Sequence, residues 1–491
     1  MQKLFDYLKI TSQIEPKILC CDSRLVKSTS LFFAIKGASS DGNKFIDDVI
    51  NKGVKFIITD DAESLKNPNI IANGVHITLV IDARVALSQA ANILYPLLPQ
   101  YMVAATGTNG KTSVVSYCRQ LYTLLGIPSC SIGTIGVECS GGLDLTSIQE
   151  ILDESPALTT PDPVTFRHIL HKLAENGTKY LAFEASSHGL DQERLHGLKV
   201  DAACFTSFSQ DHLDYHKNMD NYLLSKLKLF TNNLSQKGVA VLNSEIEQLD
   251  YIKSYLQERN IKFLTVGMNG DLKIIDSTIC TYNGQKYNFT TDIVGSFQAT
   301  NLLIAVMMVH LTGFPFEQVI SKLPQIKAVK GRLERVANSN IFIDYAHTPD
   351  ALEKSLLELK KIKSEIYSNR GSLNVIFGCG GNRDSGKRPL MGQVAAKIAD
   401  IVIITDDNPR NEDPKFIRQQ IIQGIISITN RYIEINNRKI AIIETINNLQ
   451  EDDILLIAGK GHENYQIIGN KKLPFSDFDI AKEALQSRKR F

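Results

Sequence analysis

The segment Ala105–Ser113, ATGTNGKTS, carries the Gly-Lys-Thr ending of a phosphate-binding loop, yet Ala105 stands where the G-x-x-x-x-G-K-[ST] pattern has its first glycine. Its flanks decide how it is used. YMVAA, from Tyr101, is a short apolar strand. TSVVSYCRQLYTLLG sets Val114, Cys118, Leu121 and Leu125 on one helical stripe, closed by Gly126 and Pro128. Strand, glycine loop and helix form the context the motif needs. Gly107 and Gly110 let the backbone amides turn toward an anion at the positive end of the helix. Lys111 can reach outer phosphates and Thr112 offers magnesium a hydroxyl. Gly107, Thr108, Asn109, Gly110, Lys111, Thr112 and Ser113 are therefore the expected nucleotide loop. Ala105 belongs to the end of the strand, where its methyl costs little because the amides that follow it wrap the phosphates.

Two further groups suit a metal-assisted phosphoryl reaction. KYLAFE is a strand ending in Glu184, where a nucleotide-hydrolysing fold puts a carboxylate for magnesium. In CFTSFSQDHLDYH, Asp211, His212, Asp214 and His216 gather just after an apolar strand, so at least one is expected to ligate a metal or orient its ligands.

The elements that hold these groups alternate along the chain. At 491 residues the chain exceeds what one hydrophobic core serves. Short apolar strands interleaved with amphipathic helices predict an α/β protein of parallel sheets, with sites at the carboxyl edges of strands. Three domains are expected. Residues 1–98 contain LFFAIKG, FIITD and HITLVID and end near the two prolines of YPLLPQ. Residues 99–330 begin at YMVAATG, and 331–491 start around GRLERV with IFIDYA, LNVIFG, IVIITD, KIAIIE and DILLIAG as strand candidates. NLLIAVMMVHLTGF reads as a core helix, too short to span a bilayer. The N-terminal MQKLFDYLKITSQIEPK is charged throughout and lacks a secretory apolar core, which predicts a cytoplasmic protein. A net charge of +1 favours neither a nucleic-acid nor a membrane partner. The eight cysteines form no C-x-x-C pair and mostly lie in apolar runs, so buried free thiols are expected rather than a disulfide framework or zinc site.

Together these residues resemble the Mur ligases, ATP-dependent amide-forming enzymes that build the peptide of bacterial cell-wall precursors. TGTNGKTS, TTPD, EASSHGLDQERLHGL, DHLDYH, GRLERV, DYAHTPDAL, GCGGNRDSGKRPLMG, DDNPRNEDP and AGKGHENYQ follow the order and spacing of the member that adds the third amino acid. The resemblance implies an N-terminal domain for the UDP end of the substrate, a central P-loop ATPase and a Rossmann-like C-terminal domain for the incoming amino acid. It implies acyl phosphorylation of a carboxylate by ATP, with one Mg2+ held by Thr112 and Glu184 and a second by His212. It also makes Lys226 a lysine carbamoylated by CO2, which would turn a cation into an anionic metal ligand; Lys228 is a nearby alternative, and outside the motif either reads as a helix-surface lysine. By the same resemblance Asn301 lies near adenine, with Arg332 and Asp344 near phosphates and ribose across a domain junction that His347 shapes. Gln298 stands where relatives commonly carry Asn. Matching positions for UDP-N-acetylmuramoyl-L-alanyl-D-glutamate are Ser23, Thr159, Thr160, Ser186, Gln192 and Arg194.

DDNPRNEDP follows the strand IVIIT and precedes a helix, so it lies at a carboxyl edge. Arg410 offers a fork for a carboxylate, and Asp407 and Glu463 suit an ammonium. A ligand with both groups at its far end fits that pairing. Relatives with Asp-Asn-Pro-Arg resemble the meso-diaminopimelate enzymes, whereas lysine would leave Arg410 without an anion. The expected amino-acid site is Arg383, Asp407, Asn408, Pro409, Arg410, Gly459 and Glu463, in a monomeric enzyme. GCGGN after LNVIF invites a dinucleotide-binding reading but lacks the third glycine of its fingerprint. A folate-extending ligase would share the phosphate loop without needing DDNPR and GKGHENYQ, and a nucleotide switch would not need the metal-ligand cluster.

Overall fold

The apolar runs fold as strands of parallel sheets because both of their faces are covered. The computed structural model describes residues 6–8, 18–37, 40–143, 145–153, 158–276 and 278–488. The N-terminal stretch read as a charged start lies outside them except at 6–8. A first sheet of four parallel strands runs, in spatial order, Ile18–Cys20, Ser30–Ala34, Phe56–Thr59 and His76–Leu79.

The second sheet has ten strands among the described residues. Its centre is Leu234–Asn243, Val200–Phe205, Tyr101–Thr106, Tyr180–Glu184 and Ser129–Gly133, all parallel; its outer hairpins are antiparallel. Side-chain alternation along Tyr101–Thr106 shows the layering. Val103 and Ala105 pack with the helices Lys111–Leu124 and Ser296–His310, while Met102 and Ala104 join the opposite core with Phe166, Ile169 and Leu170. NLLIAVMMV is indeed a core helix, buried from Gln298 to Val309. Among the described residues, no helix is long and apolar enough to cross a membrane.

The third sheet orders Glu334–Arg335, Ile341–Asp344, Ile454–Ala458, Leu373–Phe377, Ile401–Ile404 and Tyr432–Glu434, parallel except for the first pair. One expected strand is absent from it. KIAIIE lies in the helix Arg438–Asn448. Asn437 caps that helix by accepting from the Ile440 amide, and burial falls on Arg438, Ala441, Ile442 and Ile446 while Ile440 is exposed. The short apolar run fits both periods, and the cap with a three-to-four spacing decides for the helix. Tyr432–Glu434 takes the edge position instead.

The cysteine expectation also needs correcting. Cys130 and Cys139 stand opposite each other in the antiparallel hairpin of Ser129–Gly133 and Gly136–Cys139 and form a disulfide. Register across a tight hairpin brings together thiols that spacing alone does not pair. The other six are free, and all but Cys21 are buried.

Candidate active site

Tyr101–Thr106 runs between Val200–Phe205 and Tyr180–Glu184, so the segments after these three strands emerge at one carboxyl edge. Ala105 is 1% exposed and pairs with Glu184 on one side and Cys204 on the other. It is a strand residue, and the loop begins beyond it. Gly107 has a φ of 143°, and a Cβ there would lie 2.1 Å from Thr206 Oγ1; Gly110, at φ 90°, starts the helix against Asn301. The loop is braced from the next strand. Thr108 N–H donates to the Ser207 carbonyl at 2.8 Å, Asn109 N–H to Ser207 Oγ at 2.8 Å, and Ser209 N–H to Thr108 Oγ1 at 3.1 Å. Lys111 curls over it, donating to the carbonyls of Gly107 at 2.9 Å and Thr108 at 2.8 Å. Thr112 and Ser113 are buried in the first helical turn.

Glu184 ends its strand buried, with Oε1 accepting from Thr134 N–H at 2.8 Å and Oε2 from the Thr134 hydroxyl at 3.1 Å. Each oxygen retains a lone pair for a cation. The turn Gly133–Gly136 that presents Thr134 must be close, because a Cβ on Gly133 would lie 2.2 Å from Glu184 Oε1. His212 takes a left-handed conformation, φ 55°, beside Asp211 at 3.5 Å. Burial would raise the Asp211 carboxyl, but His212, His347 and Lys387 hold it well below the usual range. Burial depresses the His212 imidazole despite Asp211, favouring a neutral ring that can ligate a metal. Asp214 is exposed and His216 is buried against Ser187 Oγ at 3.0 Å, so only Asp211 and His212 of that cluster face the loop.

Lys226 is not the surface lysine its helix suggests. It is 1% exposed, its ammonium donates to the Gly107 carbonyl at 2.8 Å and sits 4.3 Å from the Tyr222 ring centroid. Burial, with Lys111 close by, lowers its pKa well below that of a free lysine, and Asp211 opposes the shift. Lys228 instead pairs at the surface with Asp191 at 3.1 Å and Glu193 at 3.6 Å.

The third sheet closes on this edge. Arg332 stacks over Tyr345 at 4.4 Å and donates to Thr112 Oγ1 at 2.8 Å. His347 lies 3.8 Å from Asp211, and Asp350 accepts from Asn109 at 3.1 Å and Ser209 at 3.2 Å. Asp344 is buried and its carboxyl is pushed up to about 6 by desolvation, against the pull of Arg332. Asn301 is buried beside Gly110, and Gln298 bridges the Tyr117 hydroxyl and the Arg332 carbonyl at 3.3 Å each.

The residues expected to take the UDP-linked substrate, Ser23 excepted, gather on the other flank. Thr160 Oγ1 donates to the Glu184 carbonyl at 2.8 Å and accepts from Ser186 N–H at 2.9 Å, Thr159 meets Thr134 at 3.1 Å, and Arg194 donates to the Thr160 carbonyl at 2.6 Å and to Gln192 at 2.7 Å. Ser186 caps the short helix Ser187–Asp191. Ser23 stands apart in a turn of the first sheet, its carbonyl held by Lys52 at 2.7 Å, though neighbouring Cys21 is within electrostatic reach of Asp162 and Arg194.

At the carboxyl edge of the third sheet, Arg410 has φ 53° and donates to the Gly381 carbonyl at 2.9 Å. Arg383 and Arg410 flank Gly380, and Asp407 and Glu463 lie within electrostatic reach of Arg410. Asn408 is buried, donating to Glu463 at 2.9 Å and accepting from Lys460 at 3.1 Å and Ile467 N–H at 2.9 Å. A Cβ on Gly459 would lie 2.6 Å from Asp407 Oδ2, and one on Gly381 only 1.9 Å from the Pro409 carbonyl. Two guanidinium groups and two carboxylates thus share one rim.

Three family models span the chain: Mur ligase family, catalytic domain, at residues 15–95; Mur ligase middle domain at 105–309; and Mur ligase, glutamate ligase domain, at 331–461. A UDP-N-acetylmuramoyl-L-alanyl-D-glutamate--2,6-diaminopimelate ligase of Rickettsia montanensis is 54% identical over 486 residues, 97% of this chain and 98% of that protein. The chain is a Mur ligase. A protein of the same name from Bradyrhizobium diazoefficiens is 40% identical, with 99% of each chain covered. A solved structure so named matches with a TM-score of 0.64 at 29% identity, covering 99% of both chains. Folylpolyglutamate synthase of Mycobacterium tuberculosis complexed with ADP matches with a TM-score of 0.61 at 17% identity over 77% of this chain and 91% of that one, which shows a common fold.

Several working parts of this Mur ligase escaped sequence reasoning. Thr134 orients Glu184 from fifty residues away; its signal was the paired glycines of SIGTIG, a tight turn beside a strand end. Lys460, buried between Asn408 and Glu463, belongs to the GKGHENYQ motif, where a lysine between two glycines reads from sequence alone as a solvated turn residue. The glycines of GCGGN serve packing in this Mur ligase: Gly378 and Gly381 sit where a Cβ would strike the Thr405 and Pro409 carbonyls. That contact explains their presence without a dinucleotide.

Proposed function

We propose that this Mur ligase uses ATP to join meso-2,6-diaminopimelate to the glutamyl carboxylate of UDP-N-acetylmuramoyl-L-alanyl-D-glutamate, a step in bacterial peptidoglycan precursor synthesis, as a cytoplasmic monomer. The working units are residues 1–98 for the UDP end, 99–330 for ATP and 331–491 for the amino acid. The observation that carries the reading is the junction itself. Lys111, Thr112, Glu184 and Arg332 meet where the carboxyl edges of the second and third sheets face each other. The Arg383, Arg410, Asp407 and Glu463 rim opens from the third sheet's edge.

A carboxylate resists attack by an amine because its charge and resonance make it a poor electrophile. Transfer of the terminal phosphoryl group of ATP to that carboxylate forms an acyl phosphate and ADP. The amine then attacks the acyl carbon, a tetrahedral intermediate collapses, and phosphate leaves with one former carboxylate oxygen while the amine gives up a proton. Lys111 and Arg332 offset the negative charge gathered on the transferring group, and the loop amides orient it. Closure of the third sheet over the second excludes water from the acyl phosphate.

The donors fit two magnesium ions: the Thr112 hydroxyl and the Glu184 carboxylate, with a lone pair left on each oxygen, would hold one, and the neutral His212 ring would hold a second. Bound there, magnesium would neutralise phosphate oxygens. The resemblance adds one further anionic oxygen ligand beside the phosphate loop. Carbamoylated Lys226 would supply it. Its depressed pKa favours the free amine, the form that adds to CO2 with loss of a proton.

Magnesium-dependent ADP formation, measured with both acceptor and amino acid, tests the reading. Turnover should require UDP-N-acetylmuramoyl-L-alanyl-D-glutamate and meso-diaminopimelate together. Equal turnover with L-lysine would remove the specificity assignment, and ADP release independent of both would remove the ligase assignment.

A further inference from the structure

Three successive helices of the third sheet's layers each send an arginine toward the segment 405–413, which carries Asp407, Asn408, Pro409 and Arg410. Arg388, of Lys387–Ile398, is 1% exposed; it pairs with Glu412 at 2.9 Å and donates to the Gly380 carbonyl at 3.1 Å. Arg418, of Pro414–Ile426, pairs with Asp406 and with Glu434 at 2.6 Å. Arg438, of Arg438–Asn448, is 1% exposed. Its Nε and Nη2 donate to Asp477 at 2.8 and 2.7 Å, and Nη2 also donates to the Ala458 carbonyl at 2.8 Å. Its third nitrogen, Nη1, is buried without a hydrogen-bond partner and lies 3.9 Å from Asp407 Oδ2.

The first two arginines hold residues beside the amino-acid rim. Arg438 alone of the three faces a carboxylate assigned to the ligand. It also grips the carbonyl immediately before Gly459, the glycine at which a Cβ would lie 2.6 Å from that same carboxylate. We infer that Arg438, anchored by the fully buried Asp477, is a positioning residue that sets Asp407 and Gly459 for the distal end of the incoming amino acid. The inference rests on the amino-acid site proposed above.

The geometry suits positioning rather than stabilisation. A buried ion pair adds little net stability, because desolvating both charges costs about as much as their attraction returns, and apolar pairs of similar size often replace one without loss. What an apolar pair cannot do is direct a cation at Asp407. The planar guanidinium spends one edge and one carbonyl contact on its own fixation, leaving Nη1, with both its N–H groups, beside Asp407 Oδ2. At 3.9 Å that nitrogen is beyond hydrogen-bond length, so the carboxylate is drawn into place with its lone pairs still available to a ligand ammonium.

The test uses the full-length enzyme in steady-state kinetics with meso-diaminopimelate, with ATP and the UDP-linked acceptor as internal controls. Arg438→Lys and the paired Arg438→Met/Asp477→Leu variants are each expected to raise KM for diaminopimelate tenfold or more, with KM for ATP within twofold. The paired variant should keep a wild-type thermal midpoint, which separates positioning from structure. Because the effect runs through Asp407, Arg438→Lys should change KM less than twofold in an Asp407→Asn background. Wild-type diaminopimelate KM in Arg438→Lys, or full additivity with Asp407→Asn, would overturn the inference. A wild-type enzyme that turns over without diaminopimelate would instead overturn the functional reading beneath it.

Discussion

The Lys226 ammonium donates to the carbonyl oxygen of Gly107 at 2.8 Å, which seats a lysine from a neighbouring helix directly against the phosphate-binding loop. Lys111 repels that ammonium and Asp211 attracts it. On the proposed reading, a carbamate here would turn the repulsion from Lys111 into attraction and would offer magnesium an anionic oxygen. With 13C-bicarbonate the wild-type enzyme should show a carbamate carbonyl resonance that Lys226→Arg lacks, and CO2-depleted buffer should lower turnover at least tenfold. Full activity after CO2 depletion would contradict the assignment.

Arg332 joins the third sheet to the nucleotide loop through Thr112 and is braced on Tyr345. Removing one preorganised donor to a developing phosphoryl charge costs about 3 kcal/mol, roughly a hundredfold. Arg332→Ala should therefore lower kcat/KM for ATP about a hundredfold while the KM for diaminopimelate stays within threefold. A change confined to diaminopimelate would move this arginine out of the ATP site.

Arg410 is held in a left-handed backbone conformation with its guanidinium over Gly381. A hydrogen bond to a charged group contributes about 1.5–3 kcal/mol, so Arg410→Ala should raise KM for diaminopimelate roughly ten- to hundredfold and leave KM for ATP unchanged. Normal diaminopimelate kinetics would remove Arg410 from the site.

Asp344 gives a pH dependence with a definite sign. Its folded pKa of about 6 lies above the usual carboxylate range, so the folded state binds the proton more tightly. The stability it contributes is complete below the unfolded value and is lost as pH rises through 6; a difference of that size corresponds to at most about 3 kcal/mol. In denaturant titrations, Asp344→Asn should gain on the wild type between pH 4 and pH 7. A gap that is constant or moves the other way would contradict the burial argument.

How much of this was legible depends on whether the signal is contiguous. The nucleotide loop could be read because strand, glycines and helix stripe lie within about twenty-five residues, and Glu184 because an acid closes an apolar strand. Thr134, Arg388, Arg418 and Arg438 could not. Each acts across the fold, and a basic residue on a helix looks solvated until tertiary packing buries it. Lys226 shows the same limit: its own surroundings suggested solvent, and only the resemblance singled it out. KIAIIE failed for another reason, since a run of apolar residues that short fits a strand and a helix equally, and the deciding Asn437 cap lay just outside it.

The central claim is that a carboxylate oxygen of the acceptor leaves with the terminal phosphate of ATP. Acceptor labelled with 18O in its glutamyl carboxylates tests this directly by mass analysis of the inorganic phosphate released during synthesis. The account predicts phosphate carrying one 18O atom per peptide bond formed. Unlabelled phosphate, with peptide still accumulating, would contradict it.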